Sequence, residues 1–177
     1  MRLNDPATPG AAGKYGVAMV VLAWITALGI ATAYFNEWLE ERENPNRIVH
    51  GKVAADGVRE IVLERNPQGH YVANGHINGQ MVRFMVDTGA TNLGIPAAVA
   101  QRLNLERGIT GHSQTAAGKV KVYLLSLDSV SLGNIEQFEV RASVIPAMPG
   151  EEVLLGMSFL KDLEIIQKNN TLTLRQL

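Results

Sequence analysis

From Tyr15 to Phe35 the chain runs about 21 residues without a charged side chain, between Lys14 and Glu37. As a helix this run would be roughly 32 Å long, enough to cross the hydrocarbon core of a bilayer. Because it is apolar on every side, burying it inside the protein would require a large protein around it. It therefore comes out of the globular part and limits what the rest can build. Tyr34, Phe35 and Trp38 gather at its downstream end, where amphipathic rings favour a membrane–water interface. Arg2 and Lys14 outnumber Asp5 before the run, whereas Glu37, Glu40, Glu41 and Glu43 outnumber Arg42 and Arg47 after it. The positive-inside tendency then predicts residues 1–14 in the cytoplasm and the C-terminal part outside it. Two export readings stand: an uncleaved anchor over residues 15–35, or a signal peptide cut before Tyr34 after Ala31-Thr32-Ala33. The apolar run is longer than the about 7 to 15 residues usual in signal peptides.

Residues 36–47 are polar and acidic, with Asn44-Pro45-Asn46 as a breaker, and read as a stalk. The remaining 48–177, about 130 residues, suffice for one modest core. The chain has no cysteine, which excludes a disulfide framework, a thiolate nucleophile and thiolate-held zinc. Its 16 basic and 17 acidic residues leave a net charge of −1, so nothing marks nucleic acid as a partner. Aromatic residues at 6% also make a base-stacking platform a poor expectation.

The exported part reads mainly as strands. Val58–Arg65 leans to β and ends at Asn66-Pro67-Gln68-Gly69. Tyr71–Ile77 and Gln80–Val86 flank Asn78-Gly79, the strongest short hairpin signal. On the second arm Val82, Phe84 and Val86 share one face, while Met81, Arg83, Met85 and Asp87 share the other. Pro96–Leu103 predicts a short helix. Two longer strands follow, Lys119–Leu127 and Ile135–Ile145, joined through Asp128–Asn134. Val153–Gly156 then leads to a helical piece around Met157–Leu163, and a last hairpin turns at Asn169-Asn170.

Most chemical motifs fail. There is no G-x-G-x-x-G or P-loop pattern. Gly156-Met157-Ser158-Phe159-Leu160 begins like a serine-hydrolase elbow but has Leu160 where the close turn needs glycine, so Ser158 reads as a helix-start residue. His70 and His76 would stand roughly 20 Å apart along a strand, too far to share a metal. Neither they nor His50 and His112 suggest more than surface histidines. Glu151-Glu152 follows a Pro-Gly turn and reads as solvated, and Lys119 and Lys121 suit an exposed strand edge.

What remains is Asp87-Thr88-Gly89-Ala90 at the end of an apolar strand. By average composition the triplet would occur in roughly 4% of chains this long, so its weight lies in its context. A carboxylate ending a buried strand is costly to ionise unless it is hydrogen-bonded or functional. Thr88 can fix the turn through its hydroxyl, and Gly89 lets a second backbone approach. On these residues alone Asp87 is either a functional acid or the cap of a strand-to-loop turn.

Around this motif the sequence resembles the retropepsin-like aspartic proteases, most closely their bacterial single-domain, membrane-anchored branch. VRFMVDTGATNLGI, within Met81–Ile95, looks like that family's hydrophobic-hydrophobic-Asp-Thr-Gly-Ala block. Val153-Leu154-Leu155-Gly156-Met157-Ser158-Phe159-Leu160 looks like its second signature, an apolar strand ending in Gly before a short helix. The resemblance covers roughly Tyr71–Leu174. It implies a mainly β fold, a retropepsin-like closed barrel forming half of an acid protease, with one or two short helices and a preceding transmembrane helix. It also implies aspartic endopeptidase activity on a peptide or protein substrate, without a metal or organic cofactor. Carried over by position, Asp87 would be catalytic, with Thr88, Gly89 and Ala90 forming the active-site loop. Thr88 would lock two such loops together, and Leu154, Leu155 and Gly156 would support the turn from beneath. The flap would fall in Gln114–Val122, with Ala116, Ala117 and Gly118 at its tip, a tip poorer in glycine than the retroviral pattern.

One Asp-Thr-Gly is half a site. Two carboxylates must share a proton, because like charges that close cannot both ionise. Asp128 and Asp162 lack a following Thr/Ser-Gly, so the second half is expected from another copy of the chain in a two-fold homodimer. Together these expectations place a single-pass protein in a bacterial inner membrane, with its domain at residues 48–177 in the periplasm or outside. A non-catalytic peptide-binding module of the same fold is the alternative.

Overall fold

Hydrophobic patterning sorts this chain into a helix with no inward face and strands that mostly bury one face. The computed structural model describes residues 11–55, 57–106, 108–115 and 118–177. It divides into a helical unit ending at Glu40 and a folded unit, Glu41–Leu177. In chain order the elements are α1 (Ala11–Glu43), β1 (Gly51–Val53), β2 (Arg59–Glu64), β3 (Val72–Ile77), β4 (Gln80–Val86), β5 (Leu93–Pro96) and α2 (Ala97–Arg102). They continue with β6 (Ile109–Thr115), β7 (Gly118–Leu132), β8 (Ile135–Ile145), β9 (Glu152–Leu155), α3 (Met157–Leu160), β10 (Glu164–Lys168) and β11 (Thr171–Gln176).

From Gly16 onward α1 is long and apolar enough to cross a membrane, and none of its apolar stretch is buried by the protein. Its hydroxyls are satisfied internally: Thr26 and Thr32 donate to the carbonyls of Leu22 and Leu28 at 2.9 and 2.8 Å. Such back-bonding suits a helix whose surroundings offer no other acceptor. Phe35 stacks on Trp38 at its downstream end, with ring centroids 5.6 Å apart.

Seven strands form one sheet in the order β3-β4-β9-β5-β8-β7-β6, and additional β3–β7 pairing closes six of them into a barrel. The expected hairpin starts it: β3 and β4 pair antiparallel, and Asn78 and Gly79 both take positive φ, as a two-residue hairpin turn requires. Closure depends on Gly75, where a methyl group would overlap the carbonyl oxygen of Ser131 on β7 and lie 2.8 Å from the Phe84 ring. The hairpin tip adds to the seam, since the Asn78 N–H donates to Ser129 O at 2.9 Å and the Ser129 N–H to Asn78 Oδ1 at 3.0 Å. Val82, Phe84, Leu93, Ile95, Leu127, Ile135, Val153 and Leu155 fill the core, with Phe159 and Leu160 from α3.

The join expected at Asp128–Asn134 is mostly strand. β7 runs on to Leu132, and the turn is only Gly133-Asn134. Val130 and Leu132 are fully buried, so Ser131 between them lies on the outer face of a continuing strand rather than in a loop. A second sheet, β1-β2-β11-β10, is wholly antiparallel and buries Ile61, Leu63, Leu172 and Leu174 on its inner face.

The segment expected as a stalk is not a free linker. The helix continues to Glu43 and stops before Asn44-Pro45, as a following proline dictates. Asn44 and Asn46 are then only 1% and 5% exposed. Asn46 Nδ2 donates to Glu64 O (2.9 Å) and Val72 O (2.7 Å), and its Oδ1 accepts from the Glu64 N–H (2.7 Å). Asn44 Nδ2 donates to Asn74 Oδ1, and Asn66 Nδ2 to Glu43 O. Asparagines read as linker residues because they are polar, yet fully bonded amides can be buried at little cost. Asn46→Ala should destabilise the folded unit by about 3 kcal/mol, because it leaves buried backbone groups unpaired. Thermal unfolding should report this as a midpoint lowered by roughly 10 °C.

Candidate active site

Asp87 follows the last residue of β4, and β4 pairs in parallel with β9, matching Met85 to Leu154 and Val86 to Leu155. This parallel pairing brings the two sequence signatures together. The Asp87 N–H donates to Leu155 O at 3.1 Å, and the turn closes with the Ala90 N–H on Asp87 O at 3.2 Å. One carboxylate oxygen, Oδ1, accepts from the Gly89 N–H at 2.9 Å. Asp87 is half-buried, while Thr88 and Gly89 are exposed.

The supporting turn lies against this loop. Gly156 is buried, and a methyl group on it would overlap the carbonyl oxygen of Asn92 and stand 2.6 Å from that of Ala90. Beyond it the first two N–H groups of α3 donate to the loop, Met157 to Ala90 O (2.8 Å) and Ser158 to Thr91 O (2.9 Å). Leu155 is buried in the core and Leu154 is half-buried.

Ser158 does more than start a helix. Its Oγ donates to Arg141 O on β8 at 2.7 Å and accepts from the Leu93 N–H at 3.1 Å. Asn92 Nδ2 adds a bond to Ser143 Oγ at 3.2 Å. These side chains fasten the end of the loop to β8. The only sequence signal is a small hydroxyl after glycine, and its partners lie 17 and 65 residues away. Beside them a cleft of about 420 Å³ opens between Thr91, Asn92, Arg141, Ser158 and Lys161, with Phe138 68% exposed at its rim.

The candidate flap falls on a hairpin that sequence patterning showed only in part. β6 pairs with β7 from Ile109↔Leu124 to Thr115↔Gly118 and forms the end of the sheet order. Ala116 and Ala117 lie outside the described residues, and Gly118 has φ +103° at the start of β7. β6 was not evident in the sequence because its one large apolar residue, Ile109, is 80% exposed. Backbone pairing rather than burial holds it. Of the two downstream aspartates, Asp128 is exposed on β7, and Asp162 is exposed and 3.9 Å from Lys161. Among the described residues no group of three or more His, Cys, Asp or Glu could hold a metal ion.

Residues 73–162 match the family model described as "gag-polyprotein putative aspartyl protease". Over 163 residues the chain is 26% identical to an uncharacterized protein in the cobV 5′ region of Sinorhizobium sp, covering 86% of this chain and 70% of that one. It is 31% identical over 107 residues to an uncharacterized protein of Rickettsia prowazekii (strain Madrid E), covering 59% of this chain and 46% of that relative. The folded chain is also similar to the crystal structure of a retropepsin-like aspartic protease from Rickettsia conorii. There the TM-score is 0.60 and the identity 28%, over 73% of this chain and 96% of that one.

Proposed function

This chain belongs to the retropepsin-like aspartic protease family, and from that premise we propose that it is a membrane-anchored endopeptidase whose site is assembled from two copies of Asp87. The observation that carries the reading is the pairing of the two signatures. Asp87 sits at a strand end, hydrogen-bonded to Leu155, with Gly156 directly beneath its loop. The loop 87–92 holds one carboxylate, and its Thr88 and Gly89 are exposed, free to meet a second loop.

In the dimer one Asp87 is ionised and its symmetry mate protonated. The ionised carboxylate takes a proton from water as the water oxygen bonds to the scissile carbonyl carbon. The protonated carboxyl hydrogen-bonds the carbonyl oxygen as it gains charge. Collapse of the tetrahedral species breaks the C–N bond and a proton passes to the leaving nitrogen, giving a new carboxyl and a new amine. Thr88, Gly89 and Ala90 shape the loop, and the β6–β7 hairpin is the proposed flap. The apolar part of α1 is the anchor, which confines substrates to the outer face of a bacterial inner membrane.

The test is a mass-spectrometric map of products formed when the full chain, in detergent, is incubated with an unfolded-protein library from acidic to neutral pH. The expected result is new peptide termini that are absent when the Asp87→Asn variant is used. An identical set of products from both proteins, or none from a chain that sediments as a dimer, would overturn the proposal.

A further inference from the structure

The segment Glu43–Arg47 fills a gap in the barrel wall. β3 pairs with β7 only at His76 and Ile77, so among the described residues no named strand lies beside Val72–Asn74 on that side. Asn46 takes the place of one. It bridges Ala73 in parallel, its carbonyl oxygen accepts from the Asn74 N–H at 3.1 Å, and its side chain holds Val72 O. Arg47 O accepts from Asn74 Nδ2 at 3.1 Å, and Asn44 Oδ1 turns the segment by accepting from the Asn46 N–H at 3.1 Å. A flexible tether would leave such groups to water.

One strand, β3, separates this segment from β4 and Asp87. Asn66 joins the two ends of the path. Its Nδ2 satisfies Glu43 O in the last turn of α1, while its Oδ1 and N–H bind the N–H and carbonyl oxygen of His70, both at 2.8 Å. The next residue, Tyr71, accepts through its carbonyl oxygen from the Val86 N–H at 2.9 Å, immediately before Asp87. On the outer surface Arg83 of β4 stands 3.9 Å from Glu43 and 3.8 Å from Glu152 of β9. These ion pairs are too exposed to weigh much in stability, yet they connect the segment to both strands that carry the site. The last turn of α1 belongs to the folded unit, which begins at Glu41. Just past the segment, Ile48 is 76% exposed and lies outside any helix or strand, an accessible point for a cut.

We propose that residues 43–47 are a strut of the catalytic unit, and that a cut just after them turns the enzyme off instead of freeing an active soluble form. Without the strut, β3 keeps β4 on one side and opens its other edge to water over Val72–Asn74. The strand pair that ends at Asp87 then loosens. Attachment to the membrane helix and activity are thereby coupled: proteolysis at Ile48, by this chain or another enzyme, ends its action. The loss of activity rests on the endopeptidase reading given above, whereas the strut rests on the hydrogen bonds alone.

The test uses the full-length protein in detergent, with the recognition sequence of a site-specific protease inserted either between Glu40 and Glu41 or between Ile48 and Val49. Each protein is compared before and after cutting. The cut after Glu40 should move the unfolding midpoint by no more than about 3 °C and leave kcat/KM within about twofold. The cut after Ile48 should release the upstream fragment on dilution and lower the midpoint by roughly 10 °C or more. It should also speed hydrogen exchange at the Val86 and Asp87 amides and lower kcat/KM by about tenfold or more. A synthetic peptide of residues 41–48 should restore all three, and the same peptide with Asn46→Ala should not. Equal effects of the two cuts, or a chain cut after Ile48 that keeps its midpoint and activity whether or not the fragment leaves, would overturn the proposal. If the uncut proteins cleave nothing, the endopeptidase reading falls, and the midpoint and exchange still decide the strut. If both cut forms cleave as fast as the uncut ones, the strut falls and the endopeptidase reading stands.

Discussion

Replacing Asp87 by Asn should abolish peptide cleavage and leave the folded unit standing. Proton transfer by a positioned carboxylate is worth about 10²- to 10⁴-fold in rate, and an amide can neither accept water's proton nor share one with its mate. The loss in kcat/KM, measured on a peptide found in the product map, should be at least that large. Stability should hardly change, because the link between Asp87 Oδ1 and the Gly89 N–H at 2.9 Å can be kept by an Asn Oδ1. A residual loss of about 1 kcal/mol would move the unfolding midpoint by roughly 5 °C at most. If Asp87 were only a turn cap, the pattern would invert. Asp87→Asn would then be silent in every assay, and only Asp87→Ala would lower the midpoint. A shared site adds a sharper expectation. When wild-type and Asp87→Asn chains exchange freely in equal amounts, about one quarter of the dimers hold two aspartates. Activity should therefore fall to about one quarter rather than one half. A fall to one half would mean that each chain works alone.

How much of this was legible in the sequence depends on where each residue finds its partners. The β3–β4 hairpin could be read because its alternation and its Asn78-Gly79 turn are local signals, and the β10–β11 hairpin for the same reason. β5 carried no alternation to read. It lies between β8 and β9, and all four of its residues are buried. β6 has the opposite defect, an exposed strand with little hydrophobic content, which exists because β7 offers it a backbone to pair with. Asn44 and Asn46 looked like linker residues because their partners, Glu64, Val72 and Asn74, are 18 to 30 positions away.

The candidate site divides in the same way. Asp87 and Gly156 stood out as motif residues, and the parallel pairing of β4 with β9 gives the physical reason for their spacing. Ser158 did not, since a serine at the start of a helix has a sufficient local explanation. Its bonds to Arg141 and Leu93 become visible only when β5, β8 and α3 are assembled.

Gly156→Ala and Gly89→Ala should have very unequal effects on the isolated fold, although both add one methyl group to the same site. At Gly156 the backbone is ordinary, with φ −88°, so the objection is space alone. The added carbon would overlap the carbonyl oxygen of Asn92 and lie 2.6 Å from that of Ala90 and 2.8 Å from the Asn92 carbonyl carbon. All three are backbone atoms, and their segment is also held by the N–H groups of Met157 and Ser158. Making room means moving residues 90–92 outward and breaking those bonds. The expected loss is about 3 kcal/mol or more, roughly 10 °C in the unfolding midpoint. Cleavage should fall further than the unfolded fraction explains, because a displacement of about 1 Å at a catalytic loop can cost ~10²-fold. At Gly89 the added carbon would meet only Asp87 Oδ1, at 3.1 Å, and open space otherwise. Gly89→Ala should therefore unfold within a few degrees of the wild type. If it nevertheless abolishes cleavage, the space above Gly89 is filled in the working enzyme by substrate or by a second copy of the loop. If it cleaves as the wild type does, that space stays empty during catalysis and the two loops do not meet there.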